Sequence, residues 1–312
     1  MKTKPILFLC LCAVLLFTGC ASQLQPPEPA AKETELQTTQ TQEPQTETAE
    51  ESVFIPLGTK GKIRLKVVSY NVNTYYSGYT DHRNWYNRKD PLCDYILSLD
   101  ADVLCLQETP PTYRDYFAEK LGEVYGWEHF NHNMTLYRKD RFEKVDFTPS
   151  YYGTDPAKKA PAYDASMERN FTTTHLRDKE TGAEFFAVAT HFDARGLKAR
   201  IMAAKQLTET LSQSEIPYVI LGDFNSTEES YAYKTLTKVF LDAQKVAPVS
   251  DPGRSFNKWG AYPGTEGLAI DFCFVSPVNI EVQSHAILRD HWGDNYLYSD
   301  HYPVKVELEL AY

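Results

Sequence analysis

Three features of the sequence predict an α/β fold. Short, wholly apolar runs suited to buried strands recur along the chain, and residues 103–106 and 218–221 are the clearest of them. Amphipathic segments lie between these runs, such as residues 197–211, where apolar residues recur at helical spacing. Several runs end in a carboxylate, an amide or an imidazole. Strands that are apolar on both faces and alternate with amphipathic helices are typical of a sheet covered by helices.

The first 20 residues have the features of a secretory signal. A cationic start with Lys2 and Lys4 precedes an apolar run at residues 6–17, which is too short to span a bilayer. The run ends in Gly19-Cys20, which resembles the bacterial lipoprotein box, where the cysteine is lipidated and becomes the mature N-terminus. We therefore expect a lipid anchor at Cys20 and a chain outside the cytoplasm, in the bacterial cell envelope. An ordinary cleaved signal with an incidental cysteine is the alternative.

Residues 21–52 are expected to form a disordered linker. They consist almost entirely of Pro, Gln, Thr, Glu, Ala and Ser, which cannot bury enough apolar surface to offset the entropy of ordering the chain. Residues 53–312 then form one folded domain. Its three cysteines, Cys93, Cys105 and Cys273, each lie in an apolar segment, so buried free thiols are favoured over disulfides.

The first strand of the domain is expected at residues 62–72. Its pattern alternates and then becomes apolar, which indicates a strand that begins near a sheet edge and runs inward to Asn71. An aromatic and basic loop at residues 75–86 follows; it could stack on a substrate or merely cover the core. Asp90 and Pro91 are typical of a helix N-cap and first helical position.

The next two strand ends each present a polar group. The apolar run at residues 103–107 ends in Glu108, whose charge needs a cation or a strong donor beside it. Residues 171–176 and 185–192 form a predicted hairpin whose second strand finishes at His191. The intervening elements are a helix at 112–121, a strand at 134–138 and a loop at 149–167.

The stretch from Tyr218 to Ser226 is the centre of the prediction. A buried strand ends there in Gly222, Asp223 and Asn225, and side chains two apart on a strand project to the same side. A carboxylate beside a carboxamide suits a hydrated divalent cation and a phosphoryl oxygen. The alternative is an ordinary Asp/Asn turn after a strand.

The last third of the domain contributes two further acids and a histidine. After a helix at residues 231–241, the apolar strand at residues 268–275 contains Asp271, which we expect to be bonded to a histidine because an unpaired buried carboxylate is costly. Asp300 and His301 lie on the loop before a final strand. That strand, at residues 304–310, alternates strictly, so one of its faces should be wet.

These strand ends, in their order, resemble the endonuclease/exonuclease/phosphatase superfamily, which has the fold of pancreatic deoxyribonuclease. The resemblance covers residues 62–310. It implies a four-layer α/β sandwich with two mixed sheets face to face, helices outside, and a site at the mouth between the sheets. The motifs that carry it are Tyr70-Asn71-Val72, Leu106-Gln107-Glu108, Thr190-His191, Gly222-Asp223-Phe224-Asn225, Ile270-Asp271-Phe272 and Ser299-Asp300-His301.

The same resemblance implies a role for each residue. Asn71, Glu108 and Asp300 would hold a divalent cation, Mg²⁺ in the first place and Mn²⁺ as an alternative. Asp271 would orient His301, which would activate or position the attacking water, and Asp223 would orient or deprotonate it. Asn225 and His191 would stabilise the pentacovalent phosphorus. Glu168 and Arg169 would support His191 and contact phosphate, although such a pair is ordinarily surface charge.

The sequence therefore predicts an extracytoplasmic, metal-dependent phosphohydrolase, with no obligate protein partner inferred. The net charge of −10 counts against long-range attraction to duplex DNA. A small or single-stranded phosphate ester is expected instead, because aromatic side chains in the loops could stack on its base or sugar. A phospholipid or sphingomyelin phosphodiesterase, a nuclease, and a non-catalytic surface-binding lipoprotein are the alternatives. The aromatic residues are Tyr75, Tyr76, Tyr79, Trp85, Trp259, Tyr262, Trp292 and Tyr296.

Overall fold

A computed structural model describes residues 60–74, 78–262 and 267–312. The expected signal, the lipidated Cys20 and the linker at residues 21–52 lie outside them. No helix in these described ranges is long and apolar enough to cross a membrane. The elements are β1 (Lys62–Asn71), α1 (Trp85–Ser98), β2 (Val103–Gln107), α2 (Pro111–Leu121), β3 (Tyr125–Phe130), β4 (Asn133–Arg138), β5 (Phe142–Tyr151), β6 (Asn170–Asp178), β7 (Glu184–His191), α3 (Leu197–Leu211), β8 (Tyr218–Asp223), α4 (Tyr231–Leu236), β9 (Leu241–Asp242), α5 (Ala243–Val246), β10 (Val249–Asp251), β11 (Asp271–Val275), β12 (Ile280–Ile287) and β13 (Val304–Ala311).

The strands form two mixed sheets. The first has the order β10-β12-β13-β1-β2-β4-β3, and the second has the order β5-β6-β7-β8-β11-β9. Most neighbours are antiparallel, but β1 is parallel to β2 and β10 to β12 in the first sheet, and β7 is parallel to β8 in the second. Because parallel neighbours end at the same edge, each sheet brings two strand ends together.

The sheets pack face to face and helices cover them, so the predicted sandwich is confirmed. Val67 and Val103 point from the first sheet into the same apolar cluster as Val188 and Ile220 of the second. The alternate residues of β1 and β2 point the other way and pack against α1 and α2. Residues of α3 join the cluster of the second sheet.

Strand β1 lies at the centre of its sheet, so the expectation that it begins near an edge was wrong. It pairs with β13 on one side and with β2 on the other. Its first half alternates because Lys62 and Arg64 are exposed on the outer face, whereas Val68 and Tyr70 pack under the helices. The polar and apolar residues of β1 therefore alternate only where the helices do not cover the sheet.

Helix α1 begins at Trp85, not at Asp90, so the predicted helix start was also wrong. The side chain of Asn84 accepts a hydrogen bond from the Tyr86 N–H, at 2.9 Å, and caps the helix. Pro91 lies inside the helix, where its missing N–H leaves one helical bond unmade. Trp85 is buried and stacks on Tyr113 with ring centroids 3.5 Å apart, so it belongs to the core and not to a substrate loop.

Other boundaries differ where the local pattern is ambiguous. The helix expected at residues 231–241 ends at Leu236, and the chain re-enters a strand at Leu241. The strand expected at residues 268–275 begins at Asp271. Strands β3 and β5 were missed because each lies at a sheet edge with few fully buried residues.

Several other predictions are confirmed. The β6–β7 hairpin and the bounds of α3 agree with the sequence pattern. Alternate residues of β13 are buried and half-buried, as a strand with one wetter face requires. Cys93, Cys105 and Cys273 are buried free thiols.

Candidate active site

The pairing of the second sheet aligns three site residues. His191 at the end of β7 is in register with Asp223 at the end of β8, and Asp223 is in register with Asp271 at the start of β11. Gly222 is needed beside them, because a Cβ atom there would lie 2.4 Å from the Thr190 backbone oxygen. Strand register alone thus gathers a histidine and two acids at one edge.

His301 and Asp271 form a buried pair. The His301 Nδ1 atom lies 2.8 Å from Asp271 Oδ2, and the His301 Nε2 atom lies 3.8 Å from Asp223 Oδ2. Burial alone would lower the pKa of His301, but the charges of Asp271, Asp223 and Asp300 outweigh it and hold the pKa well above its ordinary value. These acids therefore favour the protonated form of His301, and the bond from Asp271 to a histidine is the one expected from the sequence.

Asp223 lies between two imidazoles. It accepts hydrogen bonds from the Asn225 N–H at 2.9 Å and from the Asn71 carboxamide at 3.0 Å. Burial, followed by the charge of Asp271, raises the pKa of Asp223 to about 7, although His301 opposes the shift. A carboxylate with such a pKa can accept a proton near neutral pH.

His191 approaches Asp223 from the other side. Its Nε2 atom lies 3.4 Å from Asp223 Oδ2 and 3.2 Å from Asn225 Nδ2. Burial, reinforced by the positive charges of Arg169 and His301, holds the pKa of His191 well below its ordinary value. The surroundings therefore shift the two histidines in opposite directions: they favour the neutral form of His191 and the protonated form of His301.

Glu108 and Asp300 form a second, more open group. Glu108 has a left-handed backbone with φ of 62°, and it accepts from the Asn71 carboxamide at 3.1 Å and from the Thr74 N–H at 2.7 Å. Burial and the nearby charge of Glu108 raise the pKa of Asp300. A cation bound between these two carboxylates would stabilise the charged form of Asp300.

Asn71 connects the two groups from behind. Its carboxamide donates to Glu108 and Asp223, and its oxygen accepts from the Asn73 N–H at 3.0 Å. Unlike Glu108 and Asp300, it does not border the cavity described below. In this geometry the Asn71 Nδ2 group holds the two carboxylates.

The donor set of this open group fits a hard cation. Glu108, Asp300 and Asn73 all border the cavity, and the buried Asn73 Oδ1 atom has no hydrogen-bond partner within the described residues. Mg²⁺ and Mn²⁺ prefer such oxygen ligands. A second cluster, Asp223 with Asp271 and His301, has ligand atoms within 4.8 Å of one another. It is a poorer cation site because Asp271 and His301 Nδ1 already bond to each other.

These groups open into a cavity of about 560 Å³. Arg169 faces it from the β6 side, with its Nε atom 3.5 Å from Asp193 Oδ2. Lys258 and Trp259 face it from the opposite loop, and both have left-handed backbones, with φ of 52° and 56°. Consecutive non-glycine residues in that region are strained, which is typical of functional loops.

The predicted aromatic residues do not share one location. Tyr79 and Trp259 border the cavity and pack edge to face, with ring centroids 6.1 Å apart. Tyr296 does not border it, and its ring stacks on His82. Trp292 packs against Tyr296. Tyr75 and Tyr76 lie outside the described residues.

Sequence reasoning missed several cavity residues. His132, Asn133 and Asn73 border the cavity but follow no strand-end motif that the sequence analysis used. Asn131, a residue type that tolerates left-handed backbone, lies at the β3–β4 turn and was a sequence signal that could have located His132. Glu168 and Arg169, predicted as a pair, both border the cavity; Glu168 also pairs with Lys159 at 3.4 Å, and Arg169 with the buried Asp193.

Comparisons with known proteins identify related sequences and structures. The family model described as the endonuclease/exonuclease/phosphatase family matches residues 68–301. Nocturnin from Mus musculus is 24% identical over 70% of the chain and 56% of its own length, so the chain spans about half of this curated relative.

Two solved structures from Bacteroides species are similar over most of the chain. A family protein from Bacteroides vulgatus is 29% identical with a TM-score of 0.73, covering 80% of the chain and 99% of its own. A mannosyl-6-phosphatase from Bacteroides thetaiotaomicron is 25% identical with a TM-score of 0.72, covering 78% and 99%.

Proposed function

Because the chain belongs to the endonuclease/exonuclease/phosphatase family, we propose that it is a metal-dependent hydrolase that cleaves a phosphate ester by in-line attack of water. The observation that carries this proposal is the placement of Asp223 between His191 and His301 beside a cavity. Hydrolysis needs a proton acceptor for water and positive or donating groups at the phosphoryl oxygens. These three side chains supply both in one place.

The cation would be held by Glu108 and Asp300, with Asn71 as the third predicted ligand. Mg²⁺ is the first candidate and Mn²⁺ the second, because all three offer oxygen atoms. When bound, the cation would neutralise charge on the phosphoryl group and on the leaving oxygen. The existing bonds of Asn71 to Glu108 and Asp223 would keep the metal-holding and water-activating groups in a fixed relation.

Asp223 is the best candidate for the group that orients and deprotonates water, since its pKa is about 7. His301, kept positive by Asp271, would position that water and donate to a phosphoryl oxygen. Asn225 and the neutral His191 would stabilise the pentacovalent phosphorus. Arg169 would bind an outer phosphoryl oxygen from the far wall of the cavity.

We propose a small or single-stranded phosphate ester as substrate. The acidic net charge of −10 disfavours long duplex DNA, whose binding depends on many Lys and Arg contacts. Tyr79 and Trp259 offer ring faces on which a sugar or base could stack. The similarity to a mannosyl-6-phosphatase supports a small phosphate ester.

The location of the protein is a separate proposal, supported by the sequence alone. Lipidation at Cys20 would anchor the chain in the cell envelope, and residues 21–52 would let the domain reach away from the membrane. A Cys20→Ala protein should move from the membrane fraction to the soluble fraction. Retention at the membrane would exclude Cys20 as the anchor.

A substrate panel tests the proposed activity. Purified protein would be assayed with Mg²⁺ and with EDTA on nucleotides, sugar and inositol phosphates, sphingomyelin, RNA, and single- and double-stranded DNA. We expect Mg²⁺-dependent release from a small or single-stranded ester. Faster cleavage of plasmid DNA than of every small ester at physiological salt would contradict the substrate proposal, and no hydrolysis of any member would favour a binding role.

A further inference from the structure

Arg88 is a fully buried cation in helix α1. Its exposed fraction is 0%, and it forms no ion pair with any described carboxylate. Its guanidinium nevertheless makes five hydrogen bonds, one for each N–H group. Burying a charge is costly unless its donors are satisfied. The five hydrogen bonds therefore compensate the cost of burying the Arg88 charge, and they show which groups Arg88 holds together.

The hydrogen-bond acceptors of Arg88 are mainly backbone oxygens of two loops. Its Nη1 atom donates to the backbone oxygens of Val72 at 2.7 Å and Tyr298 at 3.0 Å. Its Nη2 atom donates to the backbone oxygen of Asn73 and to the Tyr113 hydroxyl. Nε donates to a carbonyl of the loop before its own helix. Arg88 thus bridges the loop after β1 and the loop before β13.

These two loops contain residues that hold Glu108 and Asp300 in place. The residue after Asn73 is Thr74, whose N–H holds Glu108 at 2.7 Å. Tyr298 stands two residues before Asp300, and the intervening Ser299 hydroxyl donates to the Asn71 backbone oxygen at 2.7 Å. The position of Glu108 relative to Asp300 therefore depends on how these loops are joined.

We propose that Arg88 is a positioning residue that sets the relative placement of Glu108 and Asp300. The inference rests on the proposed function, in which those two carboxylates hold the cation. Three features support it. The planar guanidinium donates five hydrogen bonds in a fixed fork, whereas a lysine ammonium has only three donors on one atom. Asn73 has a left-handed φ of 55°, a conformation that the bond from Arg88 helps to hold. Glu108 and Asp300 also lie within electrostatic reach of the guanidinium.

Cation binding by variants of the full chain tests this inference without relying on activity. Mn²⁺ affinity would be measured by isothermal titration calorimetry for the parent, Arg88→Met, Arg88→Lys and Arg141→Met. Arg141 is the matched control, since it makes two strong bonds, to Asp102 at 2.7 Å and to Asp178 at 2.9 Å, away from the cavity. Thermal unfolding in EDTA would measure the stability of each protein.

We expect the Kd for Mn²⁺ to rise at least roughly tenfold in Arg88→Met, as is typical when groups behind metal ligands are lost. Arg88→Lys should lie between Arg88→Met and the parent. Arg141→Met should lower the unfolding temperature but change the Kd less than about twofold, because its bonds do not reach the site. A variant that weakens Mn²⁺ binding more than its loss of stability explains indicates a positioning residue, whereas a variant that lowers only the unfolding temperature indicates a purely structural one.

A folded Arg88→Met protein with a Kd within about twofold of the parent would overturn the inference. If Arg88→Met does not fold, Arg88→Lys decides in the same way, because three donors on one atom cannot replace all five bonds of the guanidinium and Mn²⁺ binding should still weaken. A parent protein that binds no Mn²⁺ would remove the proposed metal site and the inference with it. A parent that binds while the variants bind equally well would overturn the role of Arg88 alone.

Discussion

The His301 Nδ1 atom lies 2.8 Å from Asp271 Oδ2, and both side chains are buried. This bond leaves His301 Nε2 directed toward Asp223, at 3.8 Å. The other oxygen of Asp271 has no hydrogen-bond partner within the described residues. Within the described residues, the Asp271 carboxylate therefore bonds only to His301, and burial strengthens that hydrogen bond.

Replacing Asp271 by Asn should lower kcat by roughly 10²- to 10⁴-fold and leave KM within about threefold. The amide cannot stabilise the positive imidazole and allows the wrong ring nitrogen to carry the proton. Steady-state kinetics on the best substrate of the panel would measure both constants.

Asp242 offers a matched control for that substitution. It is a buried carboxylate on β9, the neighbour of β11, and it accepts from the Tyr233 hydroxyl at 2.7 Å. Asp242→Asn should change stability and leave kcat within about twofold. Equal kinetics for Asp271→Asn and the parent protein would remove the His301–Asp271 pair from the mechanism.

The strand ends that carry the predicted site residues could be read from the sequence better than their surroundings, and the reason is physical. Asn71, Glu108 and Asp223 each lie where a buried strand ends, and the change from apolar to polar residues there is visible in the sequence. Strand register then brings them together, because parallel neighbours finish at one edge. The pairing of Asp271 with a histidine followed from the cost of leaving a carboxylate unpaired inside the core.

The parts that could not be predicted depend on tertiary contacts. Arg88 is as polar as any surface residue of a helix, and only the carbonyls of two distant loops explain its burial. The central place of β1 in its sheet was hidden because its outer face is covered over only half its length. The sequence pattern around Trp85 is typical of an aromatic loop, and only its stacking on Tyr113 shows that it belongs to the core.

Trp259 is predicted to bind substrate through its ring. Trp259→Ala should raise KM for a small phosphate ester by roughly tenfold, because loss of stacking costs about 1–3 kcal/mol, and should change kcat less. Trp292→Ala is the control, since Trp292 packs on Tyr296 and does not border the cavity. The same KM for both variants would show that Trp259 does not contact substrate.

His285 should make the folded domain less stable in mild acid. It is buried on β12, with Nδ1 3.3 Å from the Ser250 hydroxyl, and burial lowers its pKa to about 4 although Asp251 opposes the shift. Above pH 6.5 the imidazole is neutral in both states and has no effect. Below it, the unfolded chain binds the proton first, so stability falls as pH decreases toward 4, by up to roughly 2–3 kcal/mol.

A His285→Gln protein tests this titration. Denaturant unfolding between pH 7 and pH 4.5 should show the parent losing more free energy of unfolding than the variant, because glutamine does not titrate. Parallel curves for the two proteins would mean that His285 does not bind a proton preferentially in the unfolded state.

Hydrolysis by the parent and by Glu108→Ala, with Mg²⁺ and after EDTA treatment, tests the central claim most directly. Glu108 borders the cavity and is held by Asn71 and Thr74, so its removal should abolish cation-dependent turnover while circular dichroism and the unfolding temperature stay close to those of the parent. We expect activity only for the parent with Mg²⁺ or Mn²⁺. Full activity of the EDTA-treated parent, or of Glu108→Ala, would contradict it.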